Sequence, residues 1–316
     1  MVDGCLVVYK PKGITSHDVI NKIRHVYKIK KCGHAGTLDP MAQGVLLVFF
    51  GKALKLINFI PAEHLDKTYL ARLTLGKTTD SYDATGNITS EYNESTDYSQ
   101  EEINKAINSF IGKYDQIPPV FSAIKIQGKK AYAMARAGET VELTGRPVDV
   151  TSIRLIKDYN HELNHNLLIR VHCSRGTYIR SVAHDIGQKL GCGAYLSYLL
   201  RERVGKWDFS HAFPYWKLEK GIPFENDSAF TKFSDVLSCP KITVKPETIF
   251  KISNGQAITR KDITNIETNN DELSTIFQIL SPERELIAIY SSNKKSNENP
   301  DLKLLPMRVF HQNETD

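Results

Sequence analysis

Apolar and polar residues follow one another with two different periods along this chain, and each change of period marks an element. LVVYK, at 6–10, is an apolar run stopped by Pro11 and Gly13 and predicts a short strand. In ITSHDVINKIRHVYKI, the residues Val19, Ile20, Ile23, Val26 and Tyr27 recur at helical spacing, with Ser16 as the expected N-cap. Gly33, Gly36, Pro40 and Gly44 then punctuate a tightly turned loop, and VLLVFF follows as a buried strand. KALKLINFI predicts a helix. In KTYLARLTLG, Tyr69, Ala71, Leu73 and Leu75 alternate with polar residues, as in a half-buried strand. SQEEINKAINSFIG predicts an amphipathic helix with Ser99 as cap and Glu102 completing a capping box. LLIRVHC predicts a strand. TYIRSVAHDIGQKLG predicts a helix with an apolar stripe of Ile179, Val182, Ala183, Ile186 and Leu190, ended by Gly191.

Between these elements lies IPPVFSAIKIQGKKAYAMARAGETVELTGRPV, rich in proline, basic and aromatic residues, which predicts a lobe at about 115–147 projecting from the sheet. The pattern weakens from Gly205 to Pro240. Beyond it, ITVKP, IFKIS, TIFQIL, LIAIYSS and LLPMRVF are strand-like runs spaced by polar turns, which predict a small β-rich domain at 241–316 after a larger one at 1–240. The fold class expected is mixed α/β. The chain shows no internal repeat.

Composition narrows the setting. The 316 residues suffice for one large domain and one small one. Formal net charge is +5, which permits a polyanionic partner without demanding one. The five cysteines are scattered, with no C-x-x-C, against a disulfide framework or a cysteine zinc site. The N-terminus has no signal-peptide pattern and the longest apolar run is far too short to span a bilayer, so a cytoplasmic protein without membrane contact is expected.

Three positions could carry chemistry, and on the residues alone each also admits a bland account. Asp39, fixed in extended backbone by Pro40, is a common turn starter or a carboxylate presented beside a core strand. Arg180 falls in the first turn of a helix, where the dipole is already positive, so the placement calls for an anion unless the side chain is simply exposed. If it reaches Asp39, it favours the ionised carboxylate. Tyr69 is a strand tyrosine, ordinarily packing, that near a carboxylate could stack on a flat ring.

Taken together, HAGTLDPMAQG, KTYLARLTLGKTTDSYDATG and CSRGTYIRSVAHDIG resemble the three signature motifs of the TruB family of tRNA pseudouridine synthases, in that family's order. KPKGITSHDV, the lobe segment and GAYLSYLLRERVG resemble further blocks, so the likeness covers roughly residues 4–210. The tail, with ISNGQAI and LIAIYSS, is more loosely similar to a PUA RNA-binding domain. The resemblance implies the pseudouridine-synthase fold, with a central, largely antiparallel sheet and a cleft holding Asp39. It implies isomerisation of the T-loop uridine of tRNA, position 55, by base flipping, with no redox step, metal or other cofactor. It makes Asp39 the catalytic carboxylate, Tyr69 the tyrosine that stacks on the base and is proposed to act in proton transfer, and Arg180 the partner of the aspartate. Tyr178 and Leu199 become pocket residues, and His34 the residue that fills the gap left by the flipped base. Lys10 and Lys125 are expected at the substrate. Lys22, Lys28, Lys30, Lys31, Lys129, Lys130 and Arg136 are further candidates for backbone contacts. It also implies a monomer whose C-terminal domain grips the acceptor arm. Two departures stand out: Leu200 follows Leu199 where the family usually has the first of two arginines, Arg201 coming next, and Leu54 stands where the family often has threonine. Two other readings compete. One is a non-catalytic RNA-binding or RNA-chaperone protein, which would need no Asp39–Tyr69–Arg180 trio. The other is a glycosidic-bond hydrolase with Asp39 and Asp83 as paired carboxylates, although Asp80 and Asp83 fit better as supports of a turn-rich loop.

Overall fold

The strands follow the apolar runs. The computed structural model describes residues 2–92, 98–122, 124–126, 128–131, 134, 137, 143–156, 165–267, 275–292 and 302–310. In chain order its first strands are β1 (Gly4–Lys10), β2 (Cys32–Ala35), β3 (Gln43–Phe50), β4 (Lys67–Leu75), β5 (Lys77–Thr79), β6 (Ile88–Glu91) and β7 (Gly112–Gln116). They continue with β8 (Lys125–Ile126), β9 (Lys129–Lys130), β10 (Arg146–Leu155), β11 (Asn166–Cys173), β12 (Ala194–Val204), β13 (Trp207–Asp208) and β14 (Phe213–Pro214). The helices among them are α1 (Ser16–Tyr27), α2 (Gln100–Asn108), α3 (Ile179–Leu190) and α4 (Tyr215–Glu219). The main sheet runs in the order β14-β1-β3-β12-β4-β11-β10-β7. From β12 to β7 its pairings are antiparallel, whereas β12 with β3 and β1 with β14 are parallel.

β4 lies at the centre of this sheet because its side chains suit both faces. Tyr69, Ala71, Leu73 and Leu75 are buried and their neighbours only half so. Its partners on either side put Val171 and Arg201 opposite Tyr69, and Ala71 opposite Leu199. The helix α3 packs on this sheet by its predicted stripe, with Ile179, Val182, Ala183 and Ile186 buried, and stops at Gly191 in the left-handed region, φ 86°.

The chain divides into two compact units. One comprises Leu6–Val48 and Ile60–Ala229; the other comprises Met1–Cys5, Phe49–Phe59 and Phe230–Asp316. The expectation from the strand-like runs was a division near residue 241. Segments 1–5, 49–59 and 230–240 group with the tail through contacts that no local pattern announces, such as the Phe50–Phe230 ring pair. The tail unit adds β15 (Phe230–Lys232), β16 (Lys241–Val244), β17 (Ile258–Thr259), β18 (Ile263–Glu267), β19 (Ile276–Leu280), β20 (Leu286–Ser291) and β21 (Lys303–Val309). Its six-stranded sheet, β17-β21-β20-β19-β16-β18, buries Ile242, Val244, Phe277, Ile279 and Tyr290.

Three local expectations change. IFKIS is not a strand but part of a short helix, α5 (Thr248–Ser253); an apolar run of this length fits either period, and Pro246 and Gly255 bracket a little over one helical turn. KALKLINFI is a 3₁₀ helix, Gly51–Phe59. Thr15, not Ser16, caps α1: it forms the capping box with Asp18, which frees Ser16 for another partner. Among the described residues no helix is long and apolar enough to cross a membrane. Of the lobe expected at about 115–147, the described part includes the backbone hairpin β8–β9; Arg136 and the side chains of Lys125, Lys129 and Lys130 lie outside the described residues.

The seating of α3 can be tested at two of its residues. A Cβ at Gly187 would collide with the main chain of Gly193 and Ala194, so Gly187→Ala is expected to lower unfolding free energy by about 1–3 kcal/mol, read by urea denaturation. Burial pushes the Asp185 carboxyl up to about 6 from 3.8. Its stabilising contribution is therefore complete below the unfolded value and is lost as pH rises through the folded one. After allowance for solvent screening, Asp185→Asn is expected to shrink the stability difference between pH 5 and pH 8 by about 1 kcal/mol.

Candidate active site

The loop between α1 and β3 is fixed from several directions before any catalytic group is considered. Ser16 Oγ donates to Leu38 O at 3.1 Å and accepts from Leu38 N at 2.9 Å, so the residue before Asp39 is clamped to the first turn of α1. Gly13 N donates to Pro40 O at 2.8 Å, and Ala42 N to Asp39 O at 3.0 Å, closing a turn with Pro40 at its second position. Arg201, fully buried on β12, spans the rest: Nε donates to Val45 O at 2.7 Å, Nη1 to Thr37 O at 3.3 Å and Nη2 to Gly36 O at 2.9 Å. Gly44 is required where β3 meets β12, since a Cβ there would collide with the Arg201 main chain, and its φ is 107°.

Asp39, held by this loop, faces Arg180 from α3. Arg180 Nε stands 2.9 Å from Asp39 Oδ2, yet its N–H is not aligned on that oxygen as a hydrogen bond, so the contact is an ion pair. The guanidinium side chain is 6% exposed and the carboxylate side chain 37%, which leaves Asp39 open to the cleft while its partner is sealed behind it. The other end of the guanidinium is anchored. Nη1 donates to Ser81 O at 3.2 Å and lies 3.6 Å from Asp83 Oδ2; Nη2 donates to Phe121 O at 3.1 Å. Asp83 is buried, and its Oδ1 accepts from Ser81 Oγ, Thr85 N and Thr85 Oγ1 at 2.9, 2.9 and 2.6 Å. The anion that a helix-terminal arginine calls for is thus supplied twice. Asp83 serves the loop and the arginine, and with one oxygen saturated and the other on Arg180 it is no second attacking carboxylate.

These groups line one cleft of about 760 Å³, together with Lys67, Tyr69, Tyr178 and Leu199. Tyr69 is buried on β4, and burial, partly opposed by Arg201, pushes its phenol up to about 12. It is a neutral hydroxyl at physiological pH. Tyr178 caps the start of α3 and is held by Gln116 on β7, which donates Nε2 to Tyr178 O at 3.1 Å and accepts from Tyr178 N at 2.8 Å. Burial raises the Tyr178 hydroxyl above its ordinary value as well.

The remaining expected residues sit elsewhere. His34, half-buried on β2, is not among the cleft-lining residues; burial, and after it Arg201, lowers its pKa, so the ring is neutral and suited to stacking. Lys10 is fully buried and donates Nζ to Pro11 O at 2.9 Å and Ile14 O at 2.7 Å; burial lowers it to about 8, while the Asp39 charge opposes that shift. In this structure it braces the loop from within. Of the residues that hold the site, Gln116 was not singled out by sequence reasoning. Ser16 was expected as a cap, Asp83 as a support of the turn-rich loop, which it is, and Arg201 only as the arginine that follows Leu200. Among the described residues no three His, Cys, Asp or Glu side chains gather to hold a metal ion.

The comparisons with known proteins bear on this geometry. Residues 24–179 match the model of the TruB family pseudouridylate synthase, N-terminal domain. A tRNA pseudouridine synthase B of Syntrophomonas wolfei is 40% identical over 316 residues, covering 98% of this chain and 99% of that one. The chain belongs to the TruB family. It is accordingly a pseudouridine synthase, an isomerase, and Asp39 lies in the part of the chain that the TruB model spans. A second relative, the tRNA pseudouridine synthase B of Dehalococcoides mccartyi, is 40% identical over 267 residues, 82% of this chain and 84% of its own. The fold is also shared beyond close relatives. A chain of an H/ACA RNP bound to a substrate RNA containing 2'-deoxyuridine superposes with a TM-score of 0.68 at 22% identity, covering 98% of this TruB chain and 86% of the other. An archaeal box H/ACA sRNP Nop10-Cbf5 complex gives 0.67 at 23%, covering 98% and 87%.

The brace formed by Arg201 is open to test. Lysine has one charged nitrogen where three carbonyls are met, so Arg201→Lys is expected to lower stability by about 2–4 kcal/mol and to slow catalysis more than it weakens RNA binding. Thermal denaturation with single-turnover kinetics reads both effects.

Proposed function

We propose that this protein isomerises the T-loop uridine of tRNA, position 55, to pseudouridine, with Asp39 as the catalytic carboxylate. The observation that carries this reading is the accessible Asp39 carboxylate paired at 2.9 Å with a buried Arg180, in a cleft that also presents Tyr69, Tyr178 and Leu199. TruB membership and the names of the relatives support tRNA as the substrate.

The chemistry asks for three things of the chain. The uridine leaves the folded loop at a cost of a few kcal/mol, and the cleft is large enough to take a nucleoside. A neutral His34 ring beside the catalytic loop suits the vacated stack. Asp39 then assists cleavage of the N1–C1′ bond, by covalent attack or by helping to form a glycal. Arg180 balances its charge without hydrogen-bonding that oxygen, so a lone pair remains free for the substrate. The detached uracil turns between the Tyr69 ring and Leu199 and is rejoined through C5. Burial holds the Tyr69 hydroxyl protonated before the base departs, so it presents a flat face and a hydrogen-bond donor, and the C5 proton passes to Tyr69 or to a water relayed by Asp39. The exposed Phe250, Arg260 and Lys261 of the tail unit are a proposed hold on the acceptor arm, with the protein acting as a monomer.

A T-arm stem-loop carrying tritium at C5 of the target uridine tests the reading. Wild-type protein is expected to release tritium to water without free uracil, and Asp39→Ala to lower the rate by about 10⁴-fold or more. Release of free uracil would favour a hydrolase, and RNA binding without release would favour a non-catalytic RNA-binding protein.

A further inference from the structure

The charges around the cleft do not all cancel within the protein. Asp39 faces Arg180 and, at longer range, Lys10; Asp83 faces Arg180. Arg201 gives its donors to three carbonyls and Lys10 gives its to two. Lys67 remains. It sits at the start of β4, two residues before Tyr69 and on the same face of the strand, and it lines the cleft with Tyr69, Asp39 and Leu199. Its ammonium lies against Gly36, where a Cβ would stand 3.5 Å from Nζ, and the carbonyls of Gly36 and Thr37 are already engaged by Arg201. Among the described residues no hydrogen bond and no ion pair reaches Lys67 Nζ. Among the titratable groups around it, Arg201 acts most strongly and opposes its charge, as does Arg175, while Cys173 and, least of all, Asp66 favour it. Burial and the Arg201 charge lower it to about 8, so it is mainly the ammonium form at neutral pH.

A cation kept half-buried beside another cation is costly unless an anion arrives during the working cycle. The reaction generates one. When the C1′–N1 bond breaks, its electron pair departs with the base as a uracil monoanion, the charge shared among N1, O2 and O4. The sugar carbon is meanwhile held as an ester of Asp39 or, after loss of the 2′ proton, as the glycal. Rejoining uses the electron pair at C5 to form the C5–C1′ bond as the C1′–O bond to Asp39 breaks and returns the carboxylate or, from the glycal, as C2′ takes back its proton; C5 then gives up its proton and N1 takes one from solvent, so the charge exists only between the two bond changes. We propose that Lys67 is a catalytic residue of this site, the cation that stabilises the detached uracil anion on the Tyr69 side of the cleft. It then supplies no net attraction to the neutral base of the bound substrate and acts when the charge appears, which is where binding energy accelerates a reaction.

The inference rests on the proposed isomerisation, and the experiment separates the two. Single-turnover tritium release, RNA affinity by filter binding and thermal denaturation are measured for wild type, Lys67→Met, Lys67→Gln and Lys67→Arg on the C5-tritiated stem-loop. Lys67→Met is expected to slow release by about 100-fold with RNA affinity within about threefold and an unchanged slope of log Kd on log salt. Lys67→Arg is expected to keep part of the rate. With 5-fluorouridine in the target position, followed by nucleoside chromatography, the fluorine stabilises the leaving anion and the Lys67→Met deficit is expected to shrink. Should Lys67→Met melt early, Lys67→Gln, which is uncharged but polar and one atom shorter, carries the same expectation. Release within about threefold of wild type overturns the role of Lys67, as does a loss of affinity with a salt slope shallower by about 0.7, which marks a phosphate contact. A deficit of the same size with 5-fluorouridine also overturns it. Wild-type protein that binds the RNA and releases no tritium overturns the isomerase reading itself.

Discussion

Arg180 sits almost wholly out of water with a carboxylate at each end, and the cleft is built around that fact. A guanidinium cannot shed its proton, so its burial is tolerable only if fixed acceptors surround it. Asp83 and the carbonyls of Ser81 and Phe121 take the inner donors; Asp39 takes the charge of the outer edge. Removing any of these strands a charge in a dry place, which costs about 3–5 kcal/mol for a buried pair. The segments 80–87, 117–122 and 36–42 are thus tied to one side chain on α3. What they enclose is the volume in which a nucleoside can be taken apart and rejoined.

The Asp39 loop is held by contacts to its own main chain. Its main chain is gripped by Ser16 at Leu38, by Gly13 at Pro40 and by Arg201 at Gly36 and Thr37. Each grip uses a main-chain group that a loop would otherwise present to water, so these groups are satisfied while the Asp39 carboxylate faces the cleft. The cations here have separate roles. Arg180 balances a carboxylate, Arg201 and Lys10 donate to carbonyls, and among the described residues no ion pair reaches Lys67. Tyr69, with its hydroxyl held neutral, supplies a flat face beside them.

Much of this was legible in the chain as text, for physical reasons that are local. Alternation over 67–75 announces β4 because a strand buried on one face must repeat every second residue. The stripe on 179–190 and Gly191 after it announce α3 and its end for similar reasons. The Ser99–Glu102 box is a contact between residues three apart, and it is present. IFKIS failed because five residues are too few to separate the two periods. Ser16 failed because two hydroxyls stood side by side, and which one caps was settled by Leu38, 22 residues away.

By itself, the sequence determined the elements, the motifs that mark a TruB chain, and the residue types available to the chemistry, since those depend on neighbours within a few positions. Only the tertiary structure decided which of them meet. Asp83 joins Arg180 across 97 positions, and Gln116 clamps Tyr178 across 62. Arg201, noted in the sequence only as the arginine that follows Leu200, turns inward to hold a loop 164 residues earlier. Lys10, expected at the substrate, is sealed beneath it. Such pairings are set by how strands β3, β12 and β4 lie side by side and by the cost of burying charge, and neither quantity is written in any short stretch of chain.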